Sequence, residues 1–354
     1  MTLILVLIAI SILILVHEWG HFYSARKLGI KVEEFAIGFP PRIWSKVKNG
    51  IKYSVNILPL GGYVKIFGEH GEGESDKTSF AARPAWQRFI VLAAGVFMNL
   101  LLAWVIFGAV SVIGQPAISD NPPAGTPVSV IAIIPGSPAE NADIHFGDKI
   151  NKAVFSTEIA IITEEEGLQK FVKNHEGKEI TLQIERNGES LEKKITPRVN
   201  YPENEGPMGV ALARVSIEKT PWYLAPWEGL KVLISTTIAT ITGFALIIKE
   251  LIAGNAGKIN VSGPVGIYTI IGDTRSLGIA YFLRIIGIIS VNLAVLNFLP
   301  IPALDGGRVL FLFLEKIRGR RVNPNWENTA HALGFALLII LMALVTYKDI
   351  VNVF

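Results

Sequence analysis

Leu3-Ile4-Leu5-Val6-Leu7-Ile8-Ala9-Ile10-Ser11-Ile12-Leu13-Ile14-Leu15-Val16 runs without a break into His17-Glu18-Trp19-Gly20-His21. With its flanks (residues 2–23) the stretch has the length of a bilayer-crossing helix, which needs about 20 apolar residues. Positions i and i+4 on a helix lie one turn apart on one face, so His17 and His21 can hold one ion between them. Glu18 is then placed to handle a water bound to that ion. Ionisable groups at lipid depth are costly and mark functional sites. The alternative is a soluble core helix with merely hydrogen-bonded histidines. Further apolar runs of spanning length argue against it.

The rest of the composition agrees. Of 354 residues, 50% are hydrophobic and 18% charged, where a soluble domain carries about 25% charged residues. The chain has no cysteine, which excludes disulfides, thiolate ligands and a cysteine nucleophile and suits either redox compartment. A net charge of +3 gives no reason to expect nucleic acid as a partner. The N-terminal run lacks the basic start and small-x-small cleavage site of a signal peptide, and cleavage would remove the His-Glu-x-x-His motif.

Read in order, the chain is a multi-pass α-helical membrane protein with four expected spans, a membrane-associated β-hairpin region and one extracytoplasmic α+β domain. Residues 24–88 hold eleven Lys or Arg against six acidic residues, so by the positive-inside rule this segment is cytoplasmic and the N-terminus faces out. Within it, residues 35–41 and 53–66 read as short strands with Gly and Pro turns. The second is apolar enough to dip beside the metal site, where non-helical backbone is tolerated against protein or a wet cavity. An ordinary surface hairpin is the competing reading. Residues 89–113 form a second span, with Asn99 read as a helix–helix hydrogen bond. Residues 127–200 change character to strands around a helix near 164–174, a soluble module in size. Residues 216–252 contain an apolar core at 232–248, able to span or to lie along the interface. Further spans are expected at about 282–304, broken by Pro300 and Pro302, and at 329–347.

A catalytic zinc takes three protein ligands and leaves one position open. His70, His145 and His175 lie in polar segments, and His331 opens the last span. Asp305 ends the broken span and is the expected third ligand; a turn or C-cap in an Asp-Gly-Gly bend is the plainer meaning of that tripeptide. Parity decides between topologies. Four spans, with 232–248 at the outer interface, put Asp305 at the depth of His17 and His21 and keep the basic 308–321 segment cytoplasmic. Five do not.

Residues 135–148 resemble the signature of bacterial-protease PDZ domains, matching through Ala142 and at Gly147-Asp148. The family has Gly where this chain has Asp143, which leaves that turn's geometry open. A groove at a strand edge would capture a peptide or C-terminus by β-addition; a steric gate is the other role. HEWGH at 17–21, GGYVK at 61–65, VSGPVGI at 261–267 and NFLPIPALDGG at 297–307, in that order, resemble the site-2 protease family, the bacterial intramembrane zinc proteases with a PDZ domain. The resemblance implies one Zn²⁺ held by His17, His21 and Asp305, with Glu18 as catalytic base. It implies that Asn297 and the bend at Pro300 hold an unwound substrate, and that Gly61-Gly62 marks a re-entrant β-loop at a substrate edge. It implies cleavage of transmembrane protein substrates, such as anti-sigma factors or signal-peptide remnants, in the bacterial cytoplasmic (inner) membrane. Both termini would then be extracytoplasmic. Family members with two tandem PDZ domains differ from this chain, which has room for one. A silent membrane scaffold and a metal transporter are the competing classes. Intact Glu18 argues against the first, and the single cluster of intramembrane ligands argues against the second.

Overall fold

Apolar continuity and an absence of internal breakers make residues 2–27 one helix, α1 (Thr2–Lys27). A computed structural model of the protein describes residues 2–118, 122–123, 125–186, 188–202, 205–254 and 279–353. The VSGPVGI stretch at 261–267 lies outside the described residues. After α1 come two long strands, β1 (Val32–Lys48) and β2 (Ile51–Ile66), and then helix α2 (Ala85–Ile113). A β-rich stretch follows: β3 (Gln115–Ile118), β4 (Val128–Ile133), α3 (Pro138–Asn141), β5 (Lys149–Phe155), β6 (Glu158–Ile161), α4 (Glu165–Asn174), β7 (Ile180–Arg186), β8 (Glu189–Ile195) and β9 (Val210–Glu218). Four helices close the chain: α5 (Ala225–Ile252), α6 (Ile279–Phe298), α7 (Asp305–Arg318) and α8 (Pro324–Val353). Two compact units result, one from the described residues within 1–109, 223–272 and 283–354, the other from those within 110–222 and 273–282.

In the first unit, five helices among the described residues are long and apolar enough to cross a membrane: α1, α2, α5, α6 and α8. On α8, Leu333, Phe335, Leu337, Ile340 and Leu344 are each more than half exposed. Leaving such side chains in water forfeits about 1.5–3 kcal/mol apiece, and a bilayer removes that cost. The protein is thus a multi-pass helical membrane protein with a β-sheet region between α2 and α5.

Two boundaries differ from the sequence reading. The third expected span stops at Phe298, because prolines at 300 and 302 cannot continue the hydrogen-bond ladder. Asp305 opens α7 instead of ending a span, and an acidic side chain in a helix's first turn is favoured there by the helix dipole. Residues 225–252 form one 28-residue helix in place of an amphipathic stretch at 232–248. Its first turns lie against α2, where Trp104 Nε1 donates to the Pro226 carbonyl at 2.8 Å. A Cβ on Gly229 would fall 2.7 Å from the Gly108 nitrogen, so only glycine permits that approach. Farther along, Thr240 Oγ1 donates to Asn292 Oδ1 on α6 at 2.8 Å.

The hairpin is longer than expected and turns at Asn49-Gly50, both at positive φ, the tight two-residue connection this dipeptide favours. β2 bends back on itself. Phe35 pairs with Tyr53 on one side and Val64 on the other, and Val55 pairs with both Ile37 and Trp44. The ribbon therefore runs in the order 61–66, 32–37, 51–56, 42–48, and 61–66 forms one edge. Phe22, Ile30, Ile51, Ile66, Val91 and Leu312 form a shared core under it.

The second unit holds a sheet in the order β3-β9-β4-β5-β7-β8, with β6 on β5. Its core includes Val128, Val130, Ile150, Leu168, Leu182 and Ile184. The 127–200 boundary expected from sequence falls short, since β9 sits between β3 and β4. VALARVSIE alternates too weakly to stand out as a strand, and its place in the sheet depends on β4. Ser137 caps α3, accepting from the Glu140 N–H at 3.4 Å. Asp143 has φ +56°, a left-handed value that Asp tolerates better than most residues. Its carboxylate meets Lys193 and, at 3.0 Å, His145.

Candidate metal centre

Helix α1 carries His17, Glu18 and His21, and both histidines are buried. The close approach of α1 and α2 is set by two glycines. A Cβ on Gly20 would lie 2.4 Å from the Ala94 carbonyl oxygen, and one on Gly95 would lie 2.5 Å from His21 Nε2 and 2.7 Å from His17 Cε1. With α2 so near, His21 Nδ1–H donates to the Val91 carbonyl at 2.8 Å. That fixes the tautomer and turns a bare Nε2 lone pair inward.

This lone pair lies 3.1 Å from His17 Nε2 and 3.2 Å from Asp305 Oδ2. His17 Nε2 lies 3.0 Å from the same oxygen. A bare imidazole lone pair and a carboxylate oxygen so close together in a buried place are unfavourable unless a proton or a cation sits among them. Tetrahedral zinc with bonds of about 2.0–2.1 Å holds its ligand atoms about 3.3 Å apart, so both the spacing and the donor chemistry fit that ion. Among the described residues this is the one group of three or more such side chains placed to hold a metal.

The surroundings are polar and specific. Glu18 Oε2 accepts the Val64 N–H from the 61–66 edge at 3.0 Å. A cavity of about 180 Å³ opens beside it, lined by Tyr63, Val64, Leu304 and Arg308 among others. Asn297 Nδ2 stands 3.5 Å from His17 Nε2. Pro300 lies exposed in the loop 299–304. Gly61 and Gly62 are buried against α1, where added Cβ atoms would meet Ile14 at 2.7 Å and Leu15 at 2.8 Å. Sequence reasoning missed Val91, Gly95 and the Val64 N–H, whose roles are carried by backbone or by the lack of a side chain. Asn99, read as a helix–helix contact, does receive the Ser290 hydroxyl on its carbonyl at 2.8 Å. Its side chain, however, points to His17 Nδ1 at 3.5 Å.

A His-Glu-x-x-His helix in an apolar bundle, completed by a carboxylate from another helix, defines a membrane metalloprotease. The profile of peptidase family M50 matches residues 5–341. The chain is 34% identical over 352 residues to a candidate zinc metalloprotease of Clostridium perfringens, covering 99% of each chain. It is 30% identical to the zinc metalloprotease RasP of Shouchella clausii, with both chains fully covered. It is 27% identical to the regulator of sigma E protease of Haemophilus influenzae, covering 97% of each. The chain belongs to peptidase family M50, the site-2 proteases, and is a membrane zinc metalloprotease.

Proposed function

We propose that this protein cuts transmembrane segments of other membrane proteins, with His17, His21 and Asp305 holding one zinc ion and Glu18 moving the proton. The observation that carries this is the convergence of Glu18, His21 and Asp305 on one cavity edged by the 61–66 strand, with His17 Nε2 3.0 Å from Asp305 Oδ2. Zinc, when bound, lowers the pKa of a water and polarises a peptide carbonyl. Glu18 is held by the Val64 N–H at Oε2, which leaves Oε1 free to take a proton from water and return it to the departing amine. A helical substrate hides its carbonyls in its own hydrogen bonds and must open locally, so weak helix formers near the scissile bond favour cleavage. The opened backbone would pair with the 61–66 edge by β-addition, beside Asn297 and the Pro300 bend, with Gly61 and Gly62 keeping that edge close to α1. The name of the Haemophilus relative supports regulators of sigma factors as one substrate class; signal-peptide remnants are another.

The domain between α2 and α5 is taken as a single PDZ-like module on the extracytoplasmic side, binding a peptide end or gating entry. Cleavage of a single-span substrate by wild type, Glu18→Gln and Asp305→Asn tests the assignment. A drop of about 10²-fold or more is expected for Glu18→Gln, with zinc retained, whereas Asp305→Asn loses both zinc and activity. Equal turnover by all three would refute it.

A further inference from the structure

His331 is a half-buried imidazole outside the candidate ligand set, and we propose that it is a positioning residue that fixes the backbone bearing Asp305. The inference rests on the reading of Asp305 as a metal ligand. Ala303, two residues before Asp305, is held at φ +85°, a left-handed value that a residue with a Cβ resists. Its N–H donates to His331 Nδ1 on α8 at 2.8 Å, and one hydrogen bond can offset a strain of that kind. With Nδ1 accepting, the ring proton sits on Nε2, which is buried and has no partner among the described residues. The ring's polar role is therefore the contact with Ala303.

The neighbouring packing points the same way. Gly334, three residues farther along α8, lies so near the loop that a Cβ would fall 2.3 Å from the Pro302 carbonyl oxygen. Gly306 and Gly307 of α7 lie as close to the carbonyl oxygens of Leu299 and Ile301, at 2.2 and 2.4 Å. The Phe311 ring stands 5.7 Å from the imidazole. The loop 299–304 is thus clamped between α7 and α8, and His331 supplies the directional bond at the strained residue. If Ala303 relaxed to negative φ, the chain two residues on would swing Asp305 Oδ2 away from His17 and His21. Outer-shell partners of metal ligands typically change affinity or activity 10–100-fold.

Five proteins test this: wild type, Asp305→Asn, His331→Leu, His331→Asn and His331→Leu with Ala303→Gly. Each is loaded with zinc, and its loss to EDTA is timed alongside kcat, KM and thermal midpoint in detergent. His331→Leu is expected to lose zinc about 10-fold faster, with lower kcat and unchanged KM. His331→Asn, whose Oδ1 branches from the same Cγ position as Nδ1, should stay near wild type. The double variant should recover part of the loss, because glycine has no drive to leave φ +85°. Wild-type zinc retention and kcat in His331→Leu, or an Asn variant as impaired as the Leu one, would overturn the positioning role. If His331→Leu does not accumulate folded, His331→Met replaces it. Unchanged zinc retention in Asp305→Asn would instead sink the ligand assignment beneath it.

Discussion

Gly95 shows how much of the site hangs on a missing side chain. Its α-carbon faces both imidazoles, and a methyl group there would sit within 2.5 Å of His21 Nε2, closer than any side chain tolerates. Gly95→Ala should therefore turn the His21 ring off its Val91 bond and lower zinc content several-fold, read by metal analysis of the purified protein. At Asp143 the prediction concerns pH. The Lys193 hydrogen bond holds its carboxyl below the usual range, reinforced against burial by His145 and Arg186. A lowered folded pKa gives stability that is present above the ordinary carboxylate value of about 3.9 and fades as pH falls through the folded one. Hydrogen exchange in the 143–148 turn should quicken as pH is lowered below about 4 in wild type, after correction for intrinsic rates. In Asp143→Asn this extra dependence should vanish.

Among elements, the link between α2 and α7 is an ion pair out of water. Arg88 Nη2 lies 2.6 Å from Glu315 Oε2, with side chains 12% and 10% exposed, and Glu315 also accepts the Val322 N–H at 3.3 Å. Removing one partner strands the other, so Arg88→Ala or Glu315→Ala should cost about 3–5 kcal/mol. Replacing both with Met should cost much less, read as thermal midpoints in one detergent. The loop between β2 and α2 is tied to the same region by Glu69 to Arg308 and by Glu74 to Arg321 at 3.0 Å. These pairs join stretches more than 200 residues apart in sequence, and no local pattern announces them. The helical spans were legible because an apolar run of that length has few other uses. β9 and the doubled-back β2 were not, because a strand's place is set by its partners.

For the whole molecule, sidedness follows from which way the helices run. Helices α2 and α6 run antiparallel: Gly287 faces Phe107, and a Cβ there would lie 2.5 Å from that ring, while Ser290 reaches Asn99. His17 meets Val91's helix on one side and Asn297 on the other, which agrees with α1 and α6 descending toward the same face. The charge bias read from the sequence leads one to expect that face to be cytoplasmic. A four-span topology would then keep α5 from completing a crossing, although α5 is one of five described helices long and apolar enough to cross. Because the chain is free of cysteine, Pro226→Cys and Leu251→Cys can be labelled singly in intact cells and in inverted vesicles. Both should label from the outer side; labelling of residue 251 from the cytoplasm alone would establish a fifth crossing.

Sequence by itself determined the membrane class, the His-Glu-x-x-His motif on its apolar helix and the expectation that Asp305 joins the two histidines, because these depend on residue type, spacing and charge balance. Only the tertiary structure decided how these side chains are aimed. The Val91 carbonyl, the absent Cβ of Gly95, the Val64 N–H and the His331 bond to Ala303 act through backbone atoms brought from distant segments. Backbone groups are the same in every residue, so nothing in a string of side chains marks which of them will be used.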